Sequence, residues 1–181
     1  MQTTTVDDVL EFWFGLPDEA HFTKDAALDA DITARFGAAL EEAKSGGLDA
    51  WLKTPDGALA LVILLDQFSR NIHRGSAETF AGDAKALAIA DELLRSGSYR
   101  QLPQDRVRWL VIPFMHSEQL ADQERCVELC KEHGLDETTP YAIDHADIIR
   151  KFGRFPHRNG LLNRAMLPEE QKFLDEGGFS G

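Results

Sequence analysis

The segment TPDGALALVILLDQFSRNI, residues 54–72, predicts a long helix that decides the fold class. It begins with Thr54-Pro55, a pairing typical of a helix N-terminus. At about 100° per residue its apolar side chains fall on two opposite sides. One stripe holds Leu61, Leu65, Phe68 and Ile72, and Leu59 and Ile63 lie almost opposite. Because a helix that is apolar all round has no face for water, we expect its first half to be buried on both sides.

The second half of the same helix carries a polar row on the side of Leu59 and Ile63, formed by Asp66, Gln67, Arg70 and Arg74. Asp66 and Arg70 are four residues apart with the acid first, which favours a helical ion pair. Two interpretations stay open. The row is either a buried ion-pair network that pins helices together, or the floor of a pocket in which Asp66 and Gln67 orient Arg70 and Arg74.

The rest of the chain shows further helical patterns and no period-two alternation typical of a strand. Caps, apolar spacing and breakers predict helices over about 7–14, 25–44, 55–72, 81–95, 103–112, 120–133, 140–152 and 168–174, with a short turn at 48–52. Pro113 is expected to break or kink its helix. The sequence therefore predicts an all-α fold of antiparallel helical hairpins, in a single domain over residues 1–181.

Composition limits the partners of the chain. It has 181 residues and a formal net charge of −12, which disfavours nucleic acid and anionic membranes as partners. The longest apolar run, residues 58–65, is too short to span a bilayer, and the N-terminus resembles no secretory signal, so we expect a cytoplasmic protein. Cys126 and Cys130, four apart on one helix, are expected to be small buried side chains. The sequence indicates no cofactor and does not predict the oligomeric state.

One stretch opposes the acidic trend. From Ile148 to Met166 the chain has five arginines and lysines and no acid, and its centre is RKFGRFPHRN, residues 151–160. Arg154, His157, Arg158 and Asn159 are the ligand-binding candidates there, because guanidinium forks suit phosphate and carboxylate. We expect this stretch to share a cavity with Arg70 and Arg74. The alternative is neutralisation within the protein by Asp122, Glu124, Glu128 and Glu132 of the neighbouring helix.

Acid–base chemistry has its own candidates: His116, Glu118, His145 and His157. His145 falls in the apolar stripe of its helix together with Tyr141, Ile148, Ile149 and Phe152, which favours a core histidine bonded to a neighbour. No G-x-S-x-G, H-E-x-x-H or paired CxxC motif occurs, so no nucleophile elbow and no metal site is predicted. Whether the chain is an enzyme is left open.

Three motifs in combination, LLDQFSRNIHRG (64–75), PFMHSE (113–118) and FGRFPHRN (152–159), resemble a bacterial family known as domain of unknown function 924. EFWF (11–14) and PEEQKFL (168–174) extend the resemblance over about residues 6–174. It implies a tetratricopeptide-like fold, a right-handed superhelix of helical repeats, and no established activity. The family pattern includes Asn71 among the polar positions. The chain departs from it at Ser69, where proline is usual, and at Asn163, where glycine is common.

Two functions of different class follow. The first is a binding module that holds an anionic small molecule or an acidic peptide in a cavity lined by arginine and histidine. Its ligand-binding residues would be Asp66, Gln67, Arg70, Asn71, Arg74, Arg154, His157, Arg158 and Asn159. The second is a hydrolase or transferase that uses His116, Glu118, His145 or His157 beside an arginine clamp. RNA binding through Phe152, Phe155 and Arg158 is a weaker third, because no RNP motif occurs.

Overall fold

The computed structural model describes residues 3–181, and no strand occurs in that range. The α-helices are α1 (Val6–Phe14), α2 (Ala26–Ser45), α3 (Pro55–Val62), α4 (Ser69–Ile72), α5 (Asp83–Ser96), α6 (Arg108–Met115), α7 (Leu120–Glu132), α8 (Thr139–Phe152) and α9 (Pro168–Asp175). A π-helical segment, Ile63–Phe68, joins α3 to α4. Short 3₁₀ turns lie at Asp18–His21, Asp49–Lys53, Ala77–Phe80, Ser98–Gln101, Gln104–Arg106 and Pro156–Arg158. The all-α prediction is confirmed.

The described chain forms two compact units. The first comprises the described residues up to Arg74 together with Glu78–Pro113, and the second comprises Gly75–Ala77 together with Phe114–Gly181. The single domain over residues 1–181 and the right-handed superhelix stay predictions.

Helix ends in the first unit follow from local hydrogen bonds. Thr5 caps α1 in a reciprocal capping box, in which the Asp8 carboxylate accepts the Thr5 backbone N–H at 2.8 Å. Asp25 caps α2 by accepting the N–H of Ala27 at 2.8 Å. Gly46 ends α2 with φ of 89°, a left-handed conformation that glycine adopts without steric cost.

The helical path from Pro55 to Ile72 confirms the long helix predicted from the opening segment, with one feature that the apolar pattern did not signal. Over Ile63–Phe68 the backbone widens into a π-helix, so the Ser69 N–H bonds the Leu64 carbonyl five residues back. Leu59 and Ile63 are both fully buried, as the two-sided apolar pattern predicted. The π segment places Asp66 and Gln67 in the interior as well, with Asp66 fully buried.

In the second unit, α7 and α8 pack against each other. Arg150 near the end of α8 contacts Glu124 near the start of α7 at 3.5 Å, which is the pairing expected of an antiparallel hairpin. Ile148, Ile149 and Phe155 form a core on which Phe152 and Phe173 pack. Cys126 and Cys130 are buried, as predicted.

Two local predictions were wrong. Tyr141 is exposed over 64% of its surface rather than part of the apolar face of α8, because it lies in the first turn of that helix. The break expected at Pro113 does not occur, because α6 continues two residues beyond it to Met115, and the alternative of a kink stays a prediction. A proline removes the hydrogen bond to the carbonyl four residues back, and that carbonyl belongs to Trp109 in the first turn of α6, so little of the helix is lost.

Within residues 3–181, no helix combines the length and the apolar character needed to cross a bilayer.

The contact of α5 with the π segment gives a first prediction. A Cβ on Gly82, the residue before α5, would lie 2.4 Å from the Leu65 carbonyl oxygen, a backbone atom that cannot move aside. We expect Gly82→Ala to lower the free energy of unfolding by on the order of 2 kcal/mol through this overlap. Gly37→Ala in α2 is the matched control, since nothing lies within 4 Å of its Cβ. That change should stabilise the protein by about 0.5–1 kcal/mol. Urea unfolding measures both, and equal effects would contradict the close packing.

Candidate functional site

Arg70 in the first unit is held by two carboxylates. Its Nη1 lies 3.0 Å from Asp66 Oδ1 and 2.9 Å from Asp83 Oδ1, and its Nη2 lies 3.0 Å from Asp83 Oδ2. Nη1 also donates to the Asp66 carbonyl at 2.7 Å, and the Gln67 amide donates to the Asp66 carboxylate. Only 20% of the Arg70 side chain is exposed. Burial disfavours its charge, but Asp66 and Asp83 outweigh that effect and raise the pKa of Arg70.

Arg74 and Asn71 share a different carboxylate, that of Asp29 on α2. Arg74 donates from Nε at 2.6 Å and from Nη2 at 2.9 Å, and the Asn71 amide donates at 2.8 Å. These bonds, led by that of Arg74, lower the pKa of Asp29. They use one side of the guanidinium and leave Nη1 available to another acceptor, and 37% of the Arg74 side chain is exposed.

The second unit fixes the segment that carries His116 and Glu118. Gln123 of α7 is fully buried, and its amide donates to the backbone carbonyls of Met115 at 2.7 Å and Ser117 at 2.6 Å. The Ser117 hydroxyl donates to Asp122 at 2.6 Å. These bonds fix the backbone immediately before Glu118.

Glu118 forms a fork-to-fork pair with Arg164. Arg164 Nη1 lies 2.7 Å from Glu118 Oε2, and Nη2 lies 3.0 Å from Oε1. Oε1 also accepts the Phe155 backbone N–H at 2.7 Å. Burial raises the pKa of Glu118, but the bonds from Arg164 and Phe155 outweigh it and lower the pKa overall.

Glu170, fully buried on α9, is the counter-charge of Arg154. Arg154 donates to it from Nε at 2.6 Å and from Nη2 at 2.8 Å. The Asn159 amide donates at 2.9 Å, and the Leu167 backbone N–H at 2.8 Å. These donors, first of all Arg154, lower the pKa of Glu170 to about 2. Arg164 Nε donates to Asn159 Oδ1 at 2.9 Å, so Asn159 joins the two arginine–carboxylate pairs into one network.

His145, His157 and Arg158 lie together around Phe155. The His145 ring is 5.5 Å and the His157 ring 5.6 Å from Phe155, and the Arg158 guanidinium lies over the same ring at 4.6 Å. Phe179 packs on both histidines at 4.5 and 5.0 Å, so the segment after α9 covers them.

Both histidines have depressed pKa values. His145 is 7% exposed, and the carbonyl of Tyr141 lies 2.8 Å from its Nδ1, so this nitrogen is the donor. Burial, followed by the proximity of His116 and Arg158, lowers the pKa of His145 to about 4. Burial, followed by Arg158 and His145, lowers that of His157 to about 4 as well.

The structure brings the candidates into separate groups. Asp66, Gln67 and Arg70 form one group in the first unit, and Asn71 and Arg74 form another. In the second unit, Glu118 and Arg154–Asn159 belong to the region around Phe155 and Arg164. The first two groups belong to the first unit and the third to the second unit, and the cavity predicted to be shared between Arg70–Arg74 and the cationic stretch stays a prediction.

Sequence reasoning missed four bonding partners of the candidate residues, namely Asp29, Asp83, Arg164 and Glu170. The acids of α7 were proposed as counter-charges, yet only Glu124 is bonded to an arginine of the stretch, at 3.5 Å from Arg150. Glu170 had one usable signal: it lies three residues after Leu167 at a helix start, the position of a capping glutamate. Asp29, Asp83 and Arg164 are remote in sequence from the charged residues that they pair with, so no local sequence pattern predicted these pairs.

Two open grooves, of about 510 and 380 Å³, border α1 and share Glu11 and Gly15. Neither is lined by a predicted site residue. Among residues 3–181, no group of three histidine, cysteine or acidic residues is arranged to hold a metal ion.

A family model described as "Bacterial protein of unknown function (DUF924)" matches residues 9–178. The chain belongs to this family. It is also similar to the solved structure of the protein of unknown function ATU0120 from Agrobacterium tumefaciens, with 40% sequence identity and a TM-score of 0.90. That match covers 95% of this chain and 97% of the other. No curated protein matches.

The two departures from the family pattern have structural explanations. Asn163 has φ of 51°, in the left-handed region where asparagine is among the few tolerated substitutes for glycine. Ser69 is fully buried, and its hydroxyl donates to the carbonyls of Thr79 at 2.9 Å and Glu78 at 3.3 Å. Serine therefore adds bonds there that a proline could not make.

The pairing of Arg70 can be tested by deletion. Arg70→Ala would leave the fully buried Asp66 without its arginine, and we expect the free energy of unfolding to fall by about 3 kcal/mol. Arg95→Ala is the matched control, because Arg95 is 67% exposed in pairs that contribute less than about 1 kcal/mol. If the two variants unfold at the same urea concentration, Arg70 is solvated in solution.

The histidine pair predicts a pH dependence. Their folded pKa of about 4 lies below the ordinary 6.5, so between these values the unfolded chain binds protons that the folded one does not. The free energy of unfolding should therefore fall as pH is lowered from 6.5 towards 4, by about 1.4 kcal/mol per pH unit for each histidine. A His145→Gln, His157→Phe double variant should lose this part of the dependence. Chemical unfolding between about pH 7 and about pH 5 measures it, and an unchanged slope in the double variant contradicts the assignment.

Proposed function

We propose that this chain is a binding module for a small anionic molecule, and that His157 and Arg158 contact the ligand. The single observation that carries the proposal is the state of His157 Nδ1. This nitrogen is buried and has no hydrogen-bond partner among residues 3–181. A buried polar atom without a partner costs about 1–3 kcal/mol, so it marks a place where a ligand or a water would complete the bonding.

The electrostatics beside that nitrogen favour a negative ligand. Arg158 is 7% exposed, and its charge is one of the causes that depress the pKa of His157. A guanidinium stays protonated at any physiological pH. A neutral histidine can present an N–H to the same ligand, so the two side chains offer donors in a positive field.

The remaining candidates of the second unit would act as a frame. Arg154, Asn159 and Glu118 are bonded to one another through Glu170 and Arg164, and this network holds the loop after α8 on both sides of Phe155. A rigid frame lowers the entropy cost of binding, because the contact residues are already in position.

In the first unit, the proposal assigns Asp66, Gln67 and Asn71 to orienting the arginines. Arg70 is occupied by two carboxylates, which supports the structural interpretation for that residue. Arg74 is the member of the row that could contact a ligand, through Nη1.

The same geometry disfavours the hydrolase or transferase alternative. A general base or acid works best with a pKa near the operating pH, and both histidines have values of about 4. Glu118 has a lowered pKa and both carboxylate oxygens bonded, so it holds no proton to donate.

Calorimetric titration with inorganic phosphate tests the proposal. His157→Phe keeps a ring of similar shape against Phe155 and Phe179 and removes Nδ1, so we expect at least tenfold weaker binding, about 1.4 kcal/mol. Arg95→Gln, on an exposed face of α5, should bind as the wild type does.

Equal affinities for wild type and His157→Phe would overturn the assignment of the site. A parallel titration with an oligoglutamate peptide distinguishes a small anion from an acidic peptide. Turnover of p-nitrophenyl phosphate that His157→Phe abolishes would favour the enzyme instead.

A further inference from the structure

The EFWF motif places Trp13 in an aromatic cluster of the first unit that the proposed function does not use. Trp13 and Trp109 are each 1% exposed, with ring centres 5.0 Å apart. His21, at the end of the 18–21 turn, lies 4.4 Å from Trp13 and 4.9 Å from Trp109. Phe22 is stacked on Trp109 at 6.0 Å with an interplanar angle of 11°. We call these four residues the aromatic cluster.

Three polar atoms in and beside the aromatic cluster are buried and have no hydrogen-bond partner among the described residues: Trp13 Nε1, His21 Nδ1 and Arg108 Nε. They lie around one ring, because the Trp13 ring, the His21 ring and the Arg108 guanidinium are all within 5.0 Å of the Trp109 ring centre. Buried polar groups are nearly always hydrogen-bonded in native proteins. Three exceptions around one side chain therefore mark this region as a candidate ligand site.

The chemistry of the three atoms defines the ligand that would bind there. The indole Nε1 and the guanidinium Nε are donors only, so each needs an acceptor. His21 Nε2 lies 2.9 Å from the Trp13 carbonyl, which can only accept, so Nε2 carries the proton. In the neutral ring Nδ1 is then an acceptor and needs a donor. A carboxylate satisfies the first two atoms, and a neighbouring hydroxyl or amino group satisfies the third.

The positive charge of Arg108 is only weakly neutralised within the protein, which favours an anionic ligand. Its one ion pair within residues 3–181 joins Nη2 to Asp18 at 3.3 Å, and the Asp18 side chain is 87% exposed. The Arg108 side chain is 25% exposed, and an ion pair with a carboxylate in bulk water contributes little. An anion at the buried Nε would also supply the hydrogen-bond acceptor that this atom lacks among the described residues.

Phe22 provides the route of entry. It is 69% exposed although it is a large apolar side chain, and it covers the outer face of Trp109. The guanidinium of Arg108 lies 5.8 Å from its ring. An aromatic ligand that displaces Phe22 can replace its stacking contact with Trp109, so little packing is lost on binding.

We propose that the aromatic cluster and Arg108 form a binding site for a small 2-hydroxy or 2-amino carboxylate with an aromatic or apolar body. The carboxylate accepts from Arg108 Nε and Trp13 Nε1, the hydroxyl or amino group donates to His21 Nδ1, and the body stacks on Trp109 in place of Phe22. This site lies in the first unit and is independent of His157 and Arg158.

Tryptophan fluorescence tests the proposal, since two of the three tryptophans, Trp13 and Trp109, belong to the aromatic cluster. In a Trp51→Phe background the signal comes from these two alone. We expect 3-phenyllactate to quench or shift the emission in a saturable way. Its analogue 3-phenylpropionate lacks the hydroxyl and should bind at least about tenfold more weakly, because His21 Nδ1 then stays unpaired.

Arg108→Gln and Arg106→Gln are the matched pair of variants. Arg106 belongs to the neighbouring 3₁₀ turn, pairs with Asp56 at 3.4 Å and lies 4.6 Å from the ring of Phe14, which is not a member of the aromatic cluster. Arg108→Gln should weaken 3-phenyllactate binding at least about tenfold, while Arg106→Gln leaves it within about twofold. Circular dichroism establishes that both variants are folded. Absence of saturable binding up to about 10 mM 3-phenyllactate, or equal losses in the two variants, would overturn the proposal.

Discussion

A carboxyl group with no exposed surface, that of Asp66, lies in the middle of the helix that the first unit buries. Such a group is tolerated only when it is paired and hydrogen-bonded, because removing a charge from water costs several kcal/mol. Arg70 and Gln67 provide those bonds from the same helical path, and Asp83 brings α5 into the arrangement through Arg70. The buried carboxyl therefore fixes the register of the π segment against α5 as well as satisfying its own charge. Gly82, one residue before Asp83, allows the backbone approach that this contact needs.

The second unit also contains a buried carboxylate, and there the stabilising donors come from the loop after α8 and from the start of α9. Glu170 is as buried as Asp66, and it is bonded to Arg154, Asn159 and the start of α9 at once. Its donors, Arg154, Asn159 and the Leu167 N–H, all belong to the segment that connects α8 to α9. The carboxylate is thus what gives residues 154–167 one conformation, and Asn163 completes that path by accepting a left-handed turn.

Local rules predicted the helices, the burial of Leu59 and Ile63, and the pair of Asp66 with Arg70, because each depends on residues within a turn or two of one another. They could not predict Asp83 as the second partner of Arg70, 13 residues away, or Glu118 as the partner of Arg164, 46 residues away. The direction of a remote carboxylate depends on how helices pack, and helical periodicity gives only the face, not the neighbour. The π segment was missed for a related reason. A π-helical turn contains one more residue than an α-helical turn, so it changes which side chains face the interior. It leaves the apolar composition of the segment unchanged, so the sequence pattern does not reveal it.

The cationic stretch of a strongly acidic protein now has a physical explanation. Acids outside the stretch neutralise three of its four arginines: Glu170 pairs with Arg154, Glu118 with Arg164, and Asp147 with Glu124 pairs with Arg150. Around Phe155, Arg158 lies beside two histidines that stay uncharged at neutral pH. If the histidines were charged, the three groups would repel one another in a buried place. Burial and the neighbouring positive charge of Arg158 depress both pKa values, so the two histidines stay neutral beside the guanidinium.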